Sequence, residues 1–303
     1  MHTRRSFLQL AGAGFAAAPF LSIPTIAPAR AANEFTELRQ SVGTFTARGG
    51  TIGWYLGDDG VVMVDAQFPD TAVPCWEGLQ ERAAGPLSFL INTHHHGDHT
   101  AGNAALVDHT DAIVAHDNVP ALQRQAAEQN DNEAEQVYAG VTFDSSLTLR
   151  RRGETIRLTH HGAAHTDGDA VIHFEEANVA HAGDLVFNMV YPFIDIDGGA
   201  STEGWIDTLE ALHERFDDDT IVIHGHGAPD AGITGGREDL LQMRDFLAAL
   251  RSFVRLGLQA GSSVDELAAT EELSGFAAYA RDDWPLSLER CIRAVYREMA
   301  GGS

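Results

Sequence analysis

The sequence predicts a layered α/β sandwich in one domain, followed by a helical C-terminal end. Three observations support this prediction: strand-like runs come first along the chain, strands and helices mix in the middle, and the pattern is helical from Arg237 onward. A chain of 303 residues, 44% of them hydrophobic, is long enough to bury the core of such layers. We therefore expect residues 32–303 to form a single domain, with a core at about 40–230 and a helical extension at 237–303.

Glycine-containing turns separate the elements expected in the first half of the domain. Arg48-Gly49-Gly50 and Asp58-Asp59-Gly60 divide three strands, and Gly85-Pro86 ends a helix. The segment after residue 120 is polar and alanine-rich, which favours a weakly amphipathic helix. The expected elements are strands at 42–47, 51–56, 61–64, 88–92 and 112–115, and helices at 71–84 and 121–139.

Periodicity predicts the elements of the second half. Trp205, Leu209, Leu212 and Phe216 recur at helical spacing and indicate an amphipathic helix. Apolar runs bounded by polar turns predict strands before and after it. The expected strands lie at 155–159, 170–174, 178–182 and 220–223, and the expected helices lie at 203–216, 238–258, 264–270 and 286–299.

The charge of the chain limits its partners. It carries 20 basic residues, all of them arginine, against 44 acidic residues, for a formal net charge of −24 at pH 7. A strongly anionic protein disfavours nucleic acid and anionic lipid as partners. We therefore expect a small-molecule substrate and no nucleic acid, and the sequence leaves the oligomeric state open.

Residues 1–31 have the three-part order of an export signal. Arg4-Arg5 precedes Phe7-Leu8, an uncharged stretch follows at 10–21, and Ala29-Arg30-Ala31 supplies small residues for cleavage. The paired arginines favour the twin-arginine route. We expect a periplasmic or extracellular protein with no stable membrane anchor after cleavage. An uncleaved N-terminal anchor, or a chance arginine pair, is the alternative.

The densest group of metal-ligand side chains is His94-His95-His96-Gly97-Asp98-His99. It follows the strand expected at 88–92 and so lies on the loop at that strand's C-terminal end, where functional residues are common. Uncoordinated, such a cluster would be costly to bury, whereas neutral imidazole and carboxylate are ligands that zinc accepts. The segment therefore predicts a metal site.

Three further candidate ligands are His165, Asp184 and His226. Each comes after one of the strands expected in the second half of the domain. Each has glycine or another small residue beside it, which lets the backbone and a metal ion approach closely. We expect these side chains to join the histidine-rich loop at one end of the sheets.

With these residues in this order, the chain resembles the metallo-β-lactamase superfamily. The resemblance rests on His-x-His-x-Asp-His at 94–99, the isolated His165, Gly-Asp at 183–184 and Gly-His-Gly at 225–227, and it covers about residues 40–230. It implies a four-layer αβ/βα sandwich with the metals between the two sheets.

The resemblance also implies a role for each residue. A first metal ion would be bound by His94, His96 and His165, a second by Asp98, His99 and His226, and Asp184 would bridge the two. Asp65, which ends the strand at 61–64, would be the structural aspartate that orients ligands through hydrogen bonds. Two Zn²⁺ ions are the expected cofactors, and the same ligands also suit Fe and Mn.

The implied activity is that of a dinuclear hydrolase. A metal-bound hydroxide would attack the carbonyl of an ester, lactone, thioester or β-lactam-like amide, with Asp98 and Asp184 as catalytic residues. His99 and Asp184 stand where some class B β-lactamases carry Arg and Cys, and no lysine is present to bind a β-lactam carboxylate. These departures favour the lactonase-like and glyoxalase-II-like branches. An iron-dependent oxidoreductase of the same fold and an exported, non-catalytic metal-binding accessory protein are the alternatives.

Two histidines and two cysteines near these motifs allow more than one interpretation. His95 is expected to point away from the ligands on either side of it, because side chains alternate in extended backbone. Flanking glycines favour His226 over His224 as the last ligand. Cys75 and Cys291 either form a disulfide, which export would permit, or are two buried small side chains.

Two aromatic segments also have alternatives. The segment 187–194, directly after Asp184, either lines the pocket, with Asn188 or Tyr191 touching substrate, or packs on the sheet. Trp284 either walls the site or caps the helical end.

Overall fold

The structure is a computed structural model that describes residues 34–301. The signal peptide predicted at 1–31 lies outside the described residues. Every strand and helix predicted between residues 42 and 299 is present, with ends that shift by one to a few residues, except for the helix predicted at 121–139.

The first sheet has seven strands in sequence order. They are β1 (Glu34–Arg39), β2 (Val42–Thr46), β3 (Ile52–Gly57), β4 (Gly60–Val64), β5 (Leu87–Ile91), β6 (Ile113–His116) and β7 (Val141–Phe143). Strands β1 to β4 form an antiparallel meander, whereas β4 to β7 run parallel to one another. The carboxyl ends of β4, β5 and β6 therefore lie along the same edge.

The second sheet has six strands in the order β15-β13-β11-β10-β9-β8, and four of its five strand pairings are antiparallel. Strands β12 and β14 form a separate two-stranded parallel ribbon. The strands of the sheet and the ribbon are β8 (Ser146–Arg151), β9 (Glu154–Thr159), β10 (Val171–Phe174), β11 (Val179–His181), β12 (Phe187–Asn188), β13 (Ile221–Ile223), β14 (His226–Gly227) and β15 (Thr234–Gly235). Within the sheet only β11 and β13 pair in parallel.

The helices lie between and after the strands. They are α1 (Pro69–Arg82), α2 (Gly97–Thr100), α3 (Asn103–Leu106), α4 (Val119–Gln129), α5 (Thr202–Arg215), α6 (Glu238–Ala260), α7 (Val264–Ala268) and α8 (Leu288–Gly301). Single turns of 3₁₀ helix add Glu133–Glu135, Gly183–Leu185 and Ala277–Tyr279.

Strand β4 shows how the layers form. Its side chains alternate: Val62 and Val64 pack with residues of the second sheet, whereas Val61 and Met63 pack beneath α1. All four are fully buried, as a strand covered on both faces requires. The first sheet therefore separates a helical layer from the core between the sheets.

The outer face of the second sheet is covered by the C-terminal helices. Trp205 of α5 and Phe246 of α6 are fully buried there, together with apolar residues of α7 and α8. Helix, sheet, sheet and helix follow one another in that order. The four-layer αβ/βα sandwich with C-terminal helices, expected from the sequence, is confirmed.

The prediction of a helix at 121–139 is wrong for the second half of that range. Helix α4 ends at Gln129, and Asp131 then takes a positive φ of 53°. The segment Asn130-Asp131-Asn132 supplies short polar side chains that tolerate the left-handed region and compete with helix hydrogen bonds. Alanine content alone therefore overestimated the length of the helix.

The two cysteines are buried and free, Cys75 in α1 and Cys291 in α8. They belong to different helical layers, since Cys75 packs in the cluster beneath α1 and Cys291 in the C-terminal helical cluster. Burial raises the pKa of both thiols, that of Cys291 to about 12. Both therefore serve as small apolar side chains.

Among residues 34–301, every helix is either too short or too polar to cross a bilayer. The longest is α6, with 23 residues, and charged side chains occur along its length.

The packing of the C-terminal helices yields a first prediction. Replacing Phe246→Ala should lower the free energy of unfolding by about 3–5 kcal/mol, because the ring is fully buried against Tyr191 and Tyr279 and its loss leaves a cavity. Urea denaturation measures the change. The control is Leu256→Ala on the same helix, where the side chain is 61% exposed and a change of about 0.5 kcal/mol or less is expected. Equal effects of the two substitutions would contradict the assigned core.

Candidate metal centre

The histidine-rich loop leaves the edge of the first sheet directly after β5. Asn92 and Thr93 are buried, and His96 keeps extended backbone before α2 begins at Gly97. The turn of α2 places Asp98 and His99 side by side while His94 and His96 lie before the helix. One short segment therefore presents side chains in two directions.

The first group of ligand atoms consists of three imidazole nitrogens. His96 Nδ1 lies 3.0 Å from His94 Nε2 and 3.1 Å from His165 Nε2. Asp184 Oδ2 lies 3.8 Å from His94 Nε2 and 3.6 Å from His165 Nε2. The four side chains meet closely enough to hold one ion.

The second group lies on the other side of Asp184. His226 Nε2 lies 3.2 Å from Asp98 Oδ2, and His99 Nε2 lies 3.8 Å from the same oxygen. Asp184 reaches this group with both oxygens, since Oδ1 is 3.0 Å from His99 Nε2 and Oδ2 is 3.4 Å from His226 Nε2. The structure thus brings all seven predicted ligand side chains together, and Asp184 is common to both groups.

The spacing of these atoms fits ligands around metal ions. Atoms held about 2.0–2.1 Å from a tetrahedral zinc ion lie roughly 3.3 Å from one another. His99 Nε2 and Asp184 Oδ1 are buried and face each other 3.0 Å apart, yet neither has a hydrogen-bond partner. Buried polar atoms without partners are uncommon and call for an explanation. A cation bound between these two atoms would explain why they lack hydrogen-bond partners.

The back nitrogens of the first group are all engaged. His165 Nδ1 is 2.8 Å from the carbonyl oxygen of Phe193, which can only accept, so this nitrogen donates. His94 Nδ1 lies 3.0 Å from Thr93 Oγ1, and His96 Nε2 lies 2.9 Å from Asp195 Oδ2. A neutral ring that donates through its back nitrogen directs a lone pair from the front nitrogen. Three lone pairs therefore converge.

Asp65 supports both groups from behind. Its Oδ2 lies 2.7 Å from His99 Nδ1 and accepts from Thr93 Oγ1 at 2.8 Å, while Oδ1 accepts from the Thr93 backbone N–H at 2.8 Å. The residue takes a positive φ of 66°, uncommon for a residue with a side chain. Such strain persists where surrounding contacts fix it, often at functional sites.

Burial keeps two imidazoles of the first group, His94 and His165, neutral. It lowers the pKa of His165 to about 3, although the nearby Asp184 carboxylate acts in the opposite direction. It also lowers the pKa of His94 well below its usual value. Neutral imidazole is the form that binds a metal ion.

The second group has the opposite electrostatics. On His99, burial is outweighed by the carboxylates of Asp184 and Asp65, which raise its pKa well above the usual value. On His226, burial is likewise outweighed by Asp184 and Asp98, and the pKa rises to about 9. Positive charge is therefore favoured here, and a bound metal ion would take the place of protons.

Two glycines leave room for the second group. A Cβ on Gly50 would lie 2.2 Å from the His99 ring, and a Cβ on Gly225 would lie 2.0 Å from Asp184 Oδ1. The two loops are also joined, because the Thr51 N–H donates to the Gly225 carbonyl at 2.9 Å. Any other residue at either position would displace a ligand.

The neighbouring histidines face elsewhere. His224 is fully buried with Nε2 3.2 Å from Asp239 Oδ2, so His226 and not His224 lies in the site. His95 is buried and turns to Asp195, with its Nε2 3.4 Å from Asp195 Oδ2. Asp195 therefore contacts both His95 and His96, a role that no sequence motif indicated. Its only sequence signal is a carboxylate at the end of an apolar loop.

The aromatic loop after Asp184 lines the site through residues other than those expected. Asn188 donates to the carbonyls of Ala231 and Gly232, and Tyr191 is buried against Phe246, so neither of them lines the cavity at the metal centre. Phe187 and Phe193 face the metal centre instead, and Trp284 joins them. Of the two alternatives for Trp284, the structure supports the one in which its side chain forms part of the wall of the site.

Comparison with known proteins identifies the family. The model of the metallo-beta-lactamase superfamily matches residues 46–226. One curated relative, the 2,4-dinitroanisole O-demethylase subunit alpha of Nocardioides sp. (strain JS1661), is 26% identical over 133 residues. That match covers 43% of this chain and 39% of the relative, so the chain matches well under half of the relative's length.

Solved structures with the same fold are more distant in sequence. The stereoselective inverting sec-alkylsulfatase Pisa1 from Pseudomonas sp. superposes with a TM-score of 0.67 at 18% identity, over 89% of this chain and 51% of that one. The DIM-1 metallo-beta-lactamase superposes with a TM-score of 0.59 at 17% identity, over 71% of this chain and 97% of that one. The metallo-beta-lactamase from Pontibacter korlensis superposes with a TM-score of 0.57 at 18% identity, over 71% of this chain and 99% of that one. These likenesses establish the fold.

The tight approach of Gly225 to Asp184 yields a second prediction. Gly225→Ala should release at least one metal ion per chain, because the new methyl group would collide with the Asp184 carboxylate, which is common to both ligand groups. Metal content is measured by mass spectrometry after desalting, with circular dichroism as the check on folding. Gly236→Ala is the control, since a Cβ there meets nothing within 4 Å. A folded Gly225→Ala protein with the full metal content would refute this geometry.

Proposed function

The chain belongs to the metallo-β-lactamase superfamily, and from that premise we propose that it is a dinuclear, metal-dependent hydrolase of a carbonyl substrate. The candidate substrates are esters, lactones, thioesters and β-lactam-like amides. One observation carries the proposal: seven ligand side chains from four loops meet as two groups that share Asp184.

The proposed ligand sets follow the two groups. His94, His96 and His165 would hold one metal ion, Asp98, His99 and His226 would hold the other, and Asp184 would bridge them. Bound divalent metal would lower the pKa of water from 15.7 to about 7 and polarise a carbonyl group. Asp65 and Asp195 fix the orientation of the imidazoles from behind, so that little reorganisation is needed on binding.

Asp98 is suited to handle the attacking water. Its side chain is 32% exposed and lines the open cavity, whereas the bridging Asp184 is almost fully buried. Burial raises the pKa of Asp98, but His99 and His226 outweigh it and bring the value down to about 2. An ionised carboxylate at the mouth of the site can accept a hydrogen bond from water, orient it and relay its proton.

Zinc is the metal we propose, because a set of five imidazoles and two carboxylates suits it. Iron and manganese accept the same ligands to different degrees. Metal identity separates the hydrolase from the alternative of an iron-dependent oxidoreductase.

We also propose that the protein is exported by the twin-arginine route and acts in the periplasm or outside the cell. The support is the arrangement of residues 1–31, in which Arg4-Arg5 precedes an uncharged apolar stretch. That route moves folded proteins, which suits an enzyme that acquires its metal before transport.

The activity is tested on the metal-analysed protein with a substrate panel. The panel contains esters, lactones, thioesters and β-lactams, together with an alkyl sulfate and 2,4-dinitroanisole, the compounds that the names of two similar proteins suggest. Two zinc ions per chain and hydrolysis of a carbonyl compound are expected, with activity lost to a chelator and restored by zinc. One iron per chain with oxygen uptake would establish the oxidoreductase. A fully metallated protein inert towards the whole panel would favour the accessory protein.

Asp184→Ala provides a third prediction. The variant should lose at least one metal ion and nearly all activity, because both groups lose a shared ligand. Loss of an outer-shell partner alone costs about 10–100-fold in metal affinity or activity, so a larger drop in kcat/KM is expected. Asp219→Ala, which removes an exposed carboxylate, is the matched control and should behave as wild type. An Asp184→Ala variant with both metals and full activity would show that the bridge is wrongly assigned.

A further inference from the structure

A cavity opens directly onto the two ligand groups. Its volume is about 350 Å³, within the range of small-molecule sites. Its polar lining comes from the metal centre, and the rest of its wall is apolar. The lining residues are His96, Gly97, Asp98, Asp184, Phe187, Phe193, His226, Trp284, Pro285 and Leu286.

Two aromatic rings of this wall, Phe187 and Phe193, pack against the ligand residues themselves. The Phe187 ring stacks on His226 at 5.3 Å between centroids, with 17° between the planes. The centroid of the Phe193 ring lies 5.3 Å from that of the His96 ring, and the Phe193 carbonyl accepts the hydrogen bond from His165. The apolar wall is thus a fixed part of the site.

Trp284 forms the side of the cavity that comes from the C-terminal helical region. Its indole N–H donates to the Tyr191 carbonyl at 2.7 Å, which fixes the ring. The ring centroid lies 5.5 Å from that of His226 and 6.3 Å from that of Phe187. Residue 284 lies well beyond the metal ligands in the sequence and contributes to their pocket.

Apart from the metal centre, the wall of the cavity offers a substrate no arginine or lysine side chain. Its lining, all of it within residues 34–301, contains no arginine, and the chain contains no lysine. Arg290 Cζ lies 6.0 Å from the centre of the Phe193 ring, but this arginine lines an adjoining groove that shares only Phe193 and Leu286 with the cavity. A net charge of −24 further disfavours anions.

We propose that the cavity takes a neutral substrate with an apolar group, namely an uncharged ester or lactone whose hydrocarbon part lies against Trp284, Phe187 and Phe193. The choice of ester rests on the hydrolase proposed above, whereas the preference for a neutral apolar group rests on the cavity alone. In the reaction, the oxygen of water bonds to the carbonyl carbon and the ester C–O bond breaks. One proton of water passes to the leaving alkoxide, so acid and alcohol are the only products and no further reactant is needed.

Chain length and charge of the substrate test the proposal. The probes are the p-nitrophenyl esters of acetate, butyrate and hexanoate, and the matched pair of p-nitrophenyl hemisuccinate and its methyl ester. Each methylene that enters the cavity should raise kcat/KM about fourfold. The methyl ester should exceed the anionic hemisuccinate by about tenfold or more, since the apolar wall that receives this end of the substrate offers no arginine or lysine to replace the water around a carboxylate.

Substitutions at Trp284 and Arg290 test whether the preferences for chain length and charge arise in this cavity. Trp284→Ala should flatten the dependence on chain length without changing the metal content, whereas Trp284→Phe, which keeps an aromatic wall, should retain it. Arg290→Ala should leave the ratio of methyl ester to hemisuccinate unchanged. A hemisuccinate hydrolysed as well as its methyl ester, or an activity towards it that depends on Arg290, would overturn the proposal.

Binding of metal-binding probes tests the preference of the cavity separately from the proposed hydrolase activity. Acetohydroxamic and hexanohydroxamic acids are neutral metal-binding probes, and the monohydroxamic acid of succinate is their anionic counterpart. Calorimetry on the metal-loaded protein should show the tightest binding for the hexanoyl compound, and Trp284→Ala should abolish its advantage. If this holds while no ester is hydrolysed, the activity is wrong and the cavity preference stands. Equal Kd values for the acetyl and hexanoyl compounds would refute the preference, whatever the activity.

Discussion

The carboxylate of Asp184 lies buried where two groups of imidazoles meet, and its burial governs the arrangement around it. A buried carboxylate is costly unless cations or hydrogen bonds compensate its charge. Burial would raise the pKa of Asp184, yet His99 and His226 hold that pKa well below its usual value. Compensation therefore comes from positive charge on the second group, whether protons or a metal ion provide it. The same carboxylate faces His94 and His165, whose neutral rings present lone pairs.

The loops that deliver these side chains are joined to one another by hydrogen bonds. Asp65 connects the end of β4 to Thr93 and His99, and the backbone of Gly225 connects the His226 loop to Thr51 and to the Gly183 carbonyl. Each connection fixes a loop at its point of closest approach to the ligands. Fixed ligands lose little conformational entropy on binding, which is how a rigid scaffold supports a metal site.

Local sequence patterns predicted much of this molecule. The continuous apolar run of β4 after its turn and the spacing of Trp205, Leu209 and Leu212 in α5 depend only on neighbouring residues, and both predictions held. The convergence of His94 to His99 with His165, Asp184 and His226 could be predicted because the motifs follow strands and match a known family in type and order.

Other features depend on contacts distant in sequence and could not be predicted. The pairing of β1, β7 and β8 is set by their neighbours in the sheets, and these strands were not expected from their own residues. Asp195 is one carboxylate among 44 acidic residues until the fold brings it to His96. Trp284 allowed two interpretations because only tertiary packing decides which surface its ring covers. Pocket walls are therefore less predictable than ligands, although both determine function.

The central claim is that seven side chains hold two metal ions bridged by Asp184. Anomalous diffraction from crystals of the zinc-loaded protein, recorded on both sides of the zinc absorption edge, tests it most directly. Two peaks are expected, one surrounded by His94, His96 and His165, the other by Asp98, His99 and His226, with Asp184 in contact with both. A single peak, or a zinc ion bound away from Asp184, would contradict the account.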